Sequence, residues 1–197
     1  MKCAGIVLCG GESRRMGRPK AMLPFGRETM LGRIVRLLGE AVDSVVVVAA
    51  AGQALPELPP HVEVLRDRHK NCGPLEGVAV GLRAIASEAE AAFATGCDAP
   101  LLLPEFVRRM IELSAGYDIA VPRVDGFDEP LAAVYRTCVL PRAEALLDRG
   151  RLRLAYLFDE VPTRRVTADE LTDVDPRLQS LANVNSPADY QAALARL

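Results

Sequence analysis

Apolar runs rich in β-branched residues alternate with segments of helical period, and this alternation limits the possible folds more than anything else in the chain. Ala4-Gly5-Ile6-Val7-Leu8-Cys9 reads as a buried strand. Leu31, Ile34, Val35 and Leu38 then repeat at helical spacing, with Thr29 placed to cap the first turn. Ser44 to Ala50 reads as a second central strand and Val62 to Leu65 as a short third. Leu75 to Ile85 reads as a helix opened by Gly73-Pro74, and Ala91 to Thr95 as a fourth strand entering Gly96-Cys97-Asp98. Pro104 suits the start of a helix over Glu105 to Leu113. The expected fold class is α/β: a three-layer α/β/α, Rossmann-like sandwich around a mostly parallel sheet.

The second half is less regular. Ile119 to Val121 and Leu131 to Tyr135 read as strands around the polar loop Asp125 to Glu129, which predicts a hairpin and hence an antiparallel element. Cys138 to Asp148 and Leu152 to Phe158 look helical, Thr163 to Val166 strand-like, and Pro187 to Leu197 a closing helix. No repeat interrupts the 197 residues, and the Pro-rich stretch Ala51 to His61 is short enough to be a loop, so a single domain over 1–197 is expected.

Half the residues are apolar and a quarter charged, which describes a globular chain and excludes disorder. The net charge of −2 argues against a broad nucleic-acid or anionic-membrane surface, so neither partner is expected. Five cysteines, Cys3, Cys9, Cys72, Cys97 and Cys138, contain no C-x-x-C pair, which disfavours a disulfide framework or a zinc site. Cys9 and Cys97 each end an apolar run and read as small buried hydrophobes. The N-terminal apolar stretch is too short for a signal-peptide core and no run approaches a membrane span, so the expected location is the cytoplasm.

Against that mild net charge, LCGGESRRMGRPK concentrates Arg14, Arg15, Arg18 and Lys20 directly after the first strand. Gly10-Gly11 lets the backbone turn and bring its N–H groups close to a ligand, and the cations beside them suit a polyphosphate. Asp98 should project from the carboxyl end of its strand, where a hard oxygen ligand suits Mg²⁺ shared with substrate phosphates. Gly10-Gly11, Asp67, Gly73-Pro74-Leu75 and Asp98 all follow strands. Ligands in open α/β sheets gather at that edge. The first loop matches neither G-x-x-x-x-G-K-[ST] nor G-x-G-x-x-G, which disfavours a P-loop kinase or a dinucleotide dehydrogenase. G-x-S-x-G is absent, and the two histidines, His61 and His69, read as loop residues.

LCGGESRRMGRPK, Gly73-Pro74-Leu75-Glu76-Gly77, Cys97-Asp98-Ala99-Pro100 and Asn183-Val184-Asn185-Ser186-Pro187 together resemble the molybdenum cofactor guanylyltransferases, the MobA-like enzymes. The motifs run in the family's order across nearly the whole chain. The resemblance implies transfer of GMP from GTP to a molybdenum-molybdopterin cofactor, with Mg²⁺ required and pyrophosphate released. It divides the domain into a GTP- and Mg²⁺-binding half, 1–100, and an acceptor-binding half, 101–197. It gives Lys20 the triphosphate near its α-phosphate, Arg15 and the Gly10-Gly11 backbone the β and γ groups, and Asp98 the metal. Leu8, Cys9 and Gly10 would meet the base through their backbone, Asp67 the nucleoside, and Gly73 would support the nucleotide loop. Asn183 and Asn185 flank Val184, so in an extended segment both amides face the same side, where they could bind the acceptor through its pterin phosphate or a water shell around magnesium. Transient contact with molybdoenzymes or their chaperones is implied as well.

Two positions depart from the family. Ala49-Ala50-Ala51 stands where some members have asparagine, and Glu129-Pro130 stands where members often have histidine-proline. The donor base therefore stays open between GTP and CTP, and a sugar-phosphate acceptor or a noncatalytic nucleotide-sensing or cofactor-delivery module also fits the residues.

Overall fold

Strands apolar on both sides are stable only between two layers, and the computed structural model, which describes residues 1–10, 19–67 and 73–197, places them so. In chain order the elements are β1 (Cys3–Leu8), β2 (Pro24–Phe25), β3 (Glu28–Thr29), α1 (Met30–Gly39), β4 (Ser44–Ala49), β5 (Glu63–Arg66), α2 (Gly73–Ile85), β6 (Ala91–Gly96), α3 (Pro104–Leu113), β7 (Ile119–Val124), β8 (Phe127–Asp128), β9 (Ala132–Arg136), α4 (Leu140–Asp148), β10 (Thr163–Thr167) and α5 (Pro187–Leu194). Thr29 caps α1, its hydroxyl accepting from the Gly32 N–H at 3.1 Å.

The main sheet runs β10-β7-β9-β6-β1-β4-β5, with β8 attached to β7. β1 pairs in parallel with β4 and β6, β4 with β5, and β7 with β10. Among the described residues, β9 alone of the long strands runs the other way, antiparallel to both β6 and β7. The mostly parallel sheet with one reversed element is the expected fold class. The hairpin differs in detail, because the polar loop contributes β8, which folds back on β7. The helix expected from Cys138 begins at Leu140 after a 3₁₀ turn, and Leu154–Asp159 is 3₁₀ rather than α. The closing helix stops at Leu194.

Alternation along β1 divides the core. Cys3, Val7 and Cys9 join α1 and α3 on one face, while Ala4, Ile6 and Leu8 join α2 and α4 on the other. α2 lies so close to β1 that a Cβ on Gly77 would stand 2.9 Å from Leu8 Cδ2, and one on Gly81 2.7 Å from Ile6 Cδ1. A third, smaller core was not expected. Leu23, Phe25, Met30, Leu101, Val184 and Ala193 pack together, docking α5 on the β2–β3 ribbon. Its members lie just after Lys20, just after Asp98 and just before Asn185, so this packing positions three side chains from distant parts of the chain.

Candidate functional site

Backbone hydrogen bonds lace the carboxyl edge of the sheet. The Asp67 N–H donates to the Ala49 carbonyl at 3.0 Å, the Cys9 N–H to Val48 at 2.8 Å, the Cys97 N–H to Leu8 at 2.9 Å and the Val184 N–H to Asp98 at 2.7 Å. The strand-end segments carrying Asp67, Cys9-Gly10 and Asp98 thus share one edge, with the NVNSP segment joined to it. Arg33 of α1 fastens the turn after Asp98, its Nε donating to the Pro100 carbonyl at 2.7 Å.

Lys20 and Asp98, 78 residues apart, meet there. Lys20 Nζ lies 2.9 Å from Asp98 Oδ2 and 2.8 Å from Asn185 Oδ1. The side chains of the ion pair are only 16% and 26% exposed, so solvent screens it less than a surface pair. Two oxygen acceptors therefore converge on one positive charge. Asn183 is exposed like Asn185, with buried Val184 between them. Asn183 makes no side-chain hydrogen bond among the described residues, whereas Asn185 bonds Lys20.

Ser186 caps α5 as its type suggests, accepting from the Asp189 N–H at 3.2 Å. In return the Asp189 carboxylate accepts from the Asn185 and Ser186 N–H groups at 3.0 and 2.8 Å. These bonds, the Asn185 N–H first, hold its carboxyl below the usual range. The capping box fixes the backbone that carries Asn185.

Asp67 is half-buried beside Gly10, whose Cβ, if it had one, would lie 3.3 Å from Asp67 Oδ2. Burial, and after it the charge of Glu76, pushes the Asp67 carboxyl up. Cys9 and Cys97 are buried, and the hydrogen bond to Cys97 followed by burial pushes the Cys9 thiol far up. That keeps Cys9 protonated and unreactive, as a core residue should be. Gly73 has φ +68° at the start of α2, and a Cβ there would face the Leu152 carbonyl at 3.2 Å. Gly11, Arg14, Arg15, Arg18, His69 and Cys72 lie outside the described residues.

Among the described residues no cluster of three or more His, Cys, Asp or Glu side chains could cage a metal by itself. The Asp98 carboxylate and the Asn185 amide oxygen still suit a hard divalent cation, which usually takes one or two carboxylates and completes its shell with water and substrate phosphate. A concavity of about 700 Å³ between α1 and the loop before β5 shares none of these residues. His61 is on its rim, and its Arg36 is held by Glu28 and Glu40 at 2.8 Å each, which leaves little for a triphosphate.

Sequence reasoning missed how Lys20 is held. It placed Asn185 on the acceptor or on a water shell around magnesium, and nothing local indicated that Asn185 would reach an ammonium 165 residues away. It also missed Gly96, where a Cβ would collide with Asp98 Oδ1. The signal was present as a glycine ending an otherwise alanine-rich strand.

The MobA-like NTP transferase domain family matches residues 5–162. A Mycobacterium marinum protein named "Probable molybdenum cofactor guanylyltransferase" is 42% identical over 96% of this chain and 92% of its own length. One of the same name from Mycobacterium avium is 39% identical over 98% and 95%. The crystal structure of molybdopterin-guanine dinucleotide biosynthesis protein A from Archaeoglobus fulgidus superposes with a TM-score of 0.81 at 22% identity, covering 100% of this chain and 98% of that one, which shows the shared fold. With the fold, the lysine and aspartate meeting at the sheet edge, and relatives near 40% identity along almost its whole length, the chain belongs to the MobA-like family of nucleotidyltransferases.

Proposed function

We propose that this nucleotidyltransferase transfers GMP from GTP to the phosphate of a molybdenum-molybdopterin cofactor, releasing pyrophosphate and forming the guanine dinucleotide. The observation that carries the reading is the Lys20 ammonium set between Asp98 and Asn185 at the edge where β1 and β6 end. Residues 1–100 bind GTP and the metal, and residues 101–197 bind the acceptor, within one domain over 1–197.

Leu8, Cys9 and Gly10 meet the base with their backbone, and Asp67 meets the nucleoside. Gly73 shapes the loop below it. Lys20 grips the α-phosphate, while Arg15 and the Gly10-Gly11 backbone take the β and γ groups. Arrival of the triphosphate offers the Lys20 ammonium a more highly charged partner than Asp98, and the carboxylate is then available to Mg²⁺. Asp98 would hold the Mg²⁺, which would supply positive charge to offset the negative charge of the phosphates. An oxygen of the acceptor phosphate attacks the α-phosphorus in line. As that P–O bond forms, the bond to the oxygen bridging the α- and β-phosphates breaks, and pyrophosphate leaves with the electron pair. The acceptor is already an anion, so no side chain has to remove a proton, and the residues contribute alignment and charge neutralisation. Asn183 and Asn185 border the acceptor. The described helices include none long and apolar enough to cross a membrane. The reading puts the reaction in the cytoplasm, with handover of the product to molybdoenzymes or their chaperones.

The test titrates GTP, CTP, ATP and UTP with Mg²⁺ against the purified chain and follows the melting temperature and pyrophosphate release with acceptor present. GTP at a hundred times its Kd should raise Tm by roughly 5–10 °C, the other nucleotides by much less. Lys20→Ala and Asp98→Ala should each lower turnover by about 10²–10³-fold while staying folded. Stabilisation by CTP in place of GTP would reassign the donor. GTP binding without pyrophosphate release above these variants would make the chain a nucleotide sensor.

A further inference from the structure

The flank of Asp98 away from the nucleotide loops carries an acid that nothing in the reaction above uses. β9 runs antiparallel to β6 with Ala132 opposite Thr95, so the turn before β9 arrives at the same sheet edge as Asp98. Strands sit about 5 Å apart, which puts this turn on the order of 10 Å from the reacting phosphates. Gly10 and Asp67 lie on the other side, after the ends of β1 and β5.

Glu129 begins that turn on a rigid mount. Its N–H donates to the Pro122 carbonyl at 2.8 Å, and its carbonyl accepts from the Ala132 N–H at 3.1 Å. The next residue is held too, because the hydroxyl of fully buried Tyr135 donates to the Pro130 carbonyl at 2.8 Å. The side chain, half-buried, makes no hydrogen bond or ion pair among the described residues. Nearby guanidiniums are taken by its neighbour: Asp128 receives both Arg123 and Arg165 at 3.3 Å. Burial pushes the Glu129 carboxyl up. A carboxylate on a backbone held in this way, partly desolvated and unpaired among the described residues, costs stability unless a ligand supplies its missing donors.

A phosphate cannot be that ligand, since the two would repel. The part of a molybdopterin that offers donors is the 2-amino-4-oxo edge of the pterin, where the ring N–H and the amino group lie side by side and match the two oxygens of one carboxylate. We propose that Glu129 accepts these two hydrogen bonds and so selects the acceptor's heterocycle. The inference rests on the acceptor named above. Two acids raised by burial, Asp67 and Glu129, then stand on opposite flanks of Asp98, and the two ends of the dinucleotide product, guanine and pterin, present the same donor pair.

The experiment compares 6,7-dimethylpterin with 6,7-dimethyllumazine, which has oxygen in place of the amino group, by fluorescence titration of the full chain and of Glu129→Gln. The wild type should bind the pterin at least tenfold more tightly than the lumazine. Glu129→Gln keeps the shape but turns one acceptor into a donor, so pterin affinity should fall about tenfold and the preference should shrink to within about threefold. GTP should still raise the variant's Tm. Equal pterin affinity in both proteins, or a wild type that does not distinguish the two ligands, overturns the assignment of Glu129. If the pterin preference and its loss in Glu129→Gln are found but GTP neither binds nor turns over, Glu129 stands and the transfer reading falls.

Discussion

Adding one methyl group at Gly96 tests the placement of Asp98 without removing any group from the site. Gly96 ends β6 in ordinary strand conformation, so alanine meets no backbone obstacle, but its Cβ would collide with Asp98 Oδ1, while Asp98 Cγ stands 3.5 Å away. The oxygen is the far end of a side chain and can rotate aside, which requires a displacement of roughly 1 Å to restore van der Waals separation. Lys20 bonds the other oxygen at 2.9 Å, so the rotation also disturbs that contact. Folding should notice little, because alanine in a strand recovers about 0.5–1 kcal/mol of backbone entropy relative to glycine and offsets the strain. Chemistry should notice much, since a misplacement of about 1 Å costs on the order of 10²-fold in rate. Pyrophosphate release from GTP, measured over a range of Mg²⁺ concentrations beside a melting curve, reads both quantities. The expected Gly96→Ala protein melts within about 3 °C of wild type, turns over roughly 100-fold more slowly and needs more Mg²⁺. Turnover within about threefold of wild type at unchanged Mg²⁺ dependence would refute the reasoning, because the carboxylate could then move without consequence.

Gly81→Ala probes the packing beneath the site: its Cβ would meet three atoms of buried Ile6 at 2.7–2.8 Å, and overpacking of about 1–3 kcal/mol should exceed the gain of about 1 kcal/mol in helix propensity. A fall in Tm of roughly 2–6 °C is expected, and an unchanged Tm would mean that α2 shifts freely on the sheet. Asp67→Asn should stabilise the free protein at pH 8 and weaken GTP binding, because burial raises the folded carboxyl above its unfolded value. The folded wild type holds its proton more tightly than the unfolded chain, so its stability falls as pH rises from the ordinary Asp range through the folded value, whereas Asn does not titrate. Melting curves from pH 3.5 to 8 should therefore coincide at the acid end and separate by roughly 1–3 °C at the alkaline end.

What could be read before folding was whatever a short window contains. Strands apolar on both faces belong at the centre of a covered, parallel sheet, and parallel pairing puts the carboxyl ends of β1, β4, β5 and β6 on one side, so Gly10, Asp67 and Asp98 share an edge. The ribbon β2–β3 and strand β8, two residues each, are too short to show a period. The small core of Leu23, Phe25, Leu101 and Val184 joins four separated segments, and no local pattern marks such a cluster. That core nonetheless decides the site, because it brings Lys20 and Asn185 to Asp98. Glu129 shows the same division between local and nonlocal information. Its loop was legible as polar, but its isolation depends on Asp128 capturing Arg123 and Arg165 across β7 and β10, a pairing visible only once those strands lie side by side. The reversed strand β9 is what turns this accident of neighbours into a second binding flank: run parallel to β6, it would have begun at the opposite end of the sheet and carried Glu129 away from the phosphates.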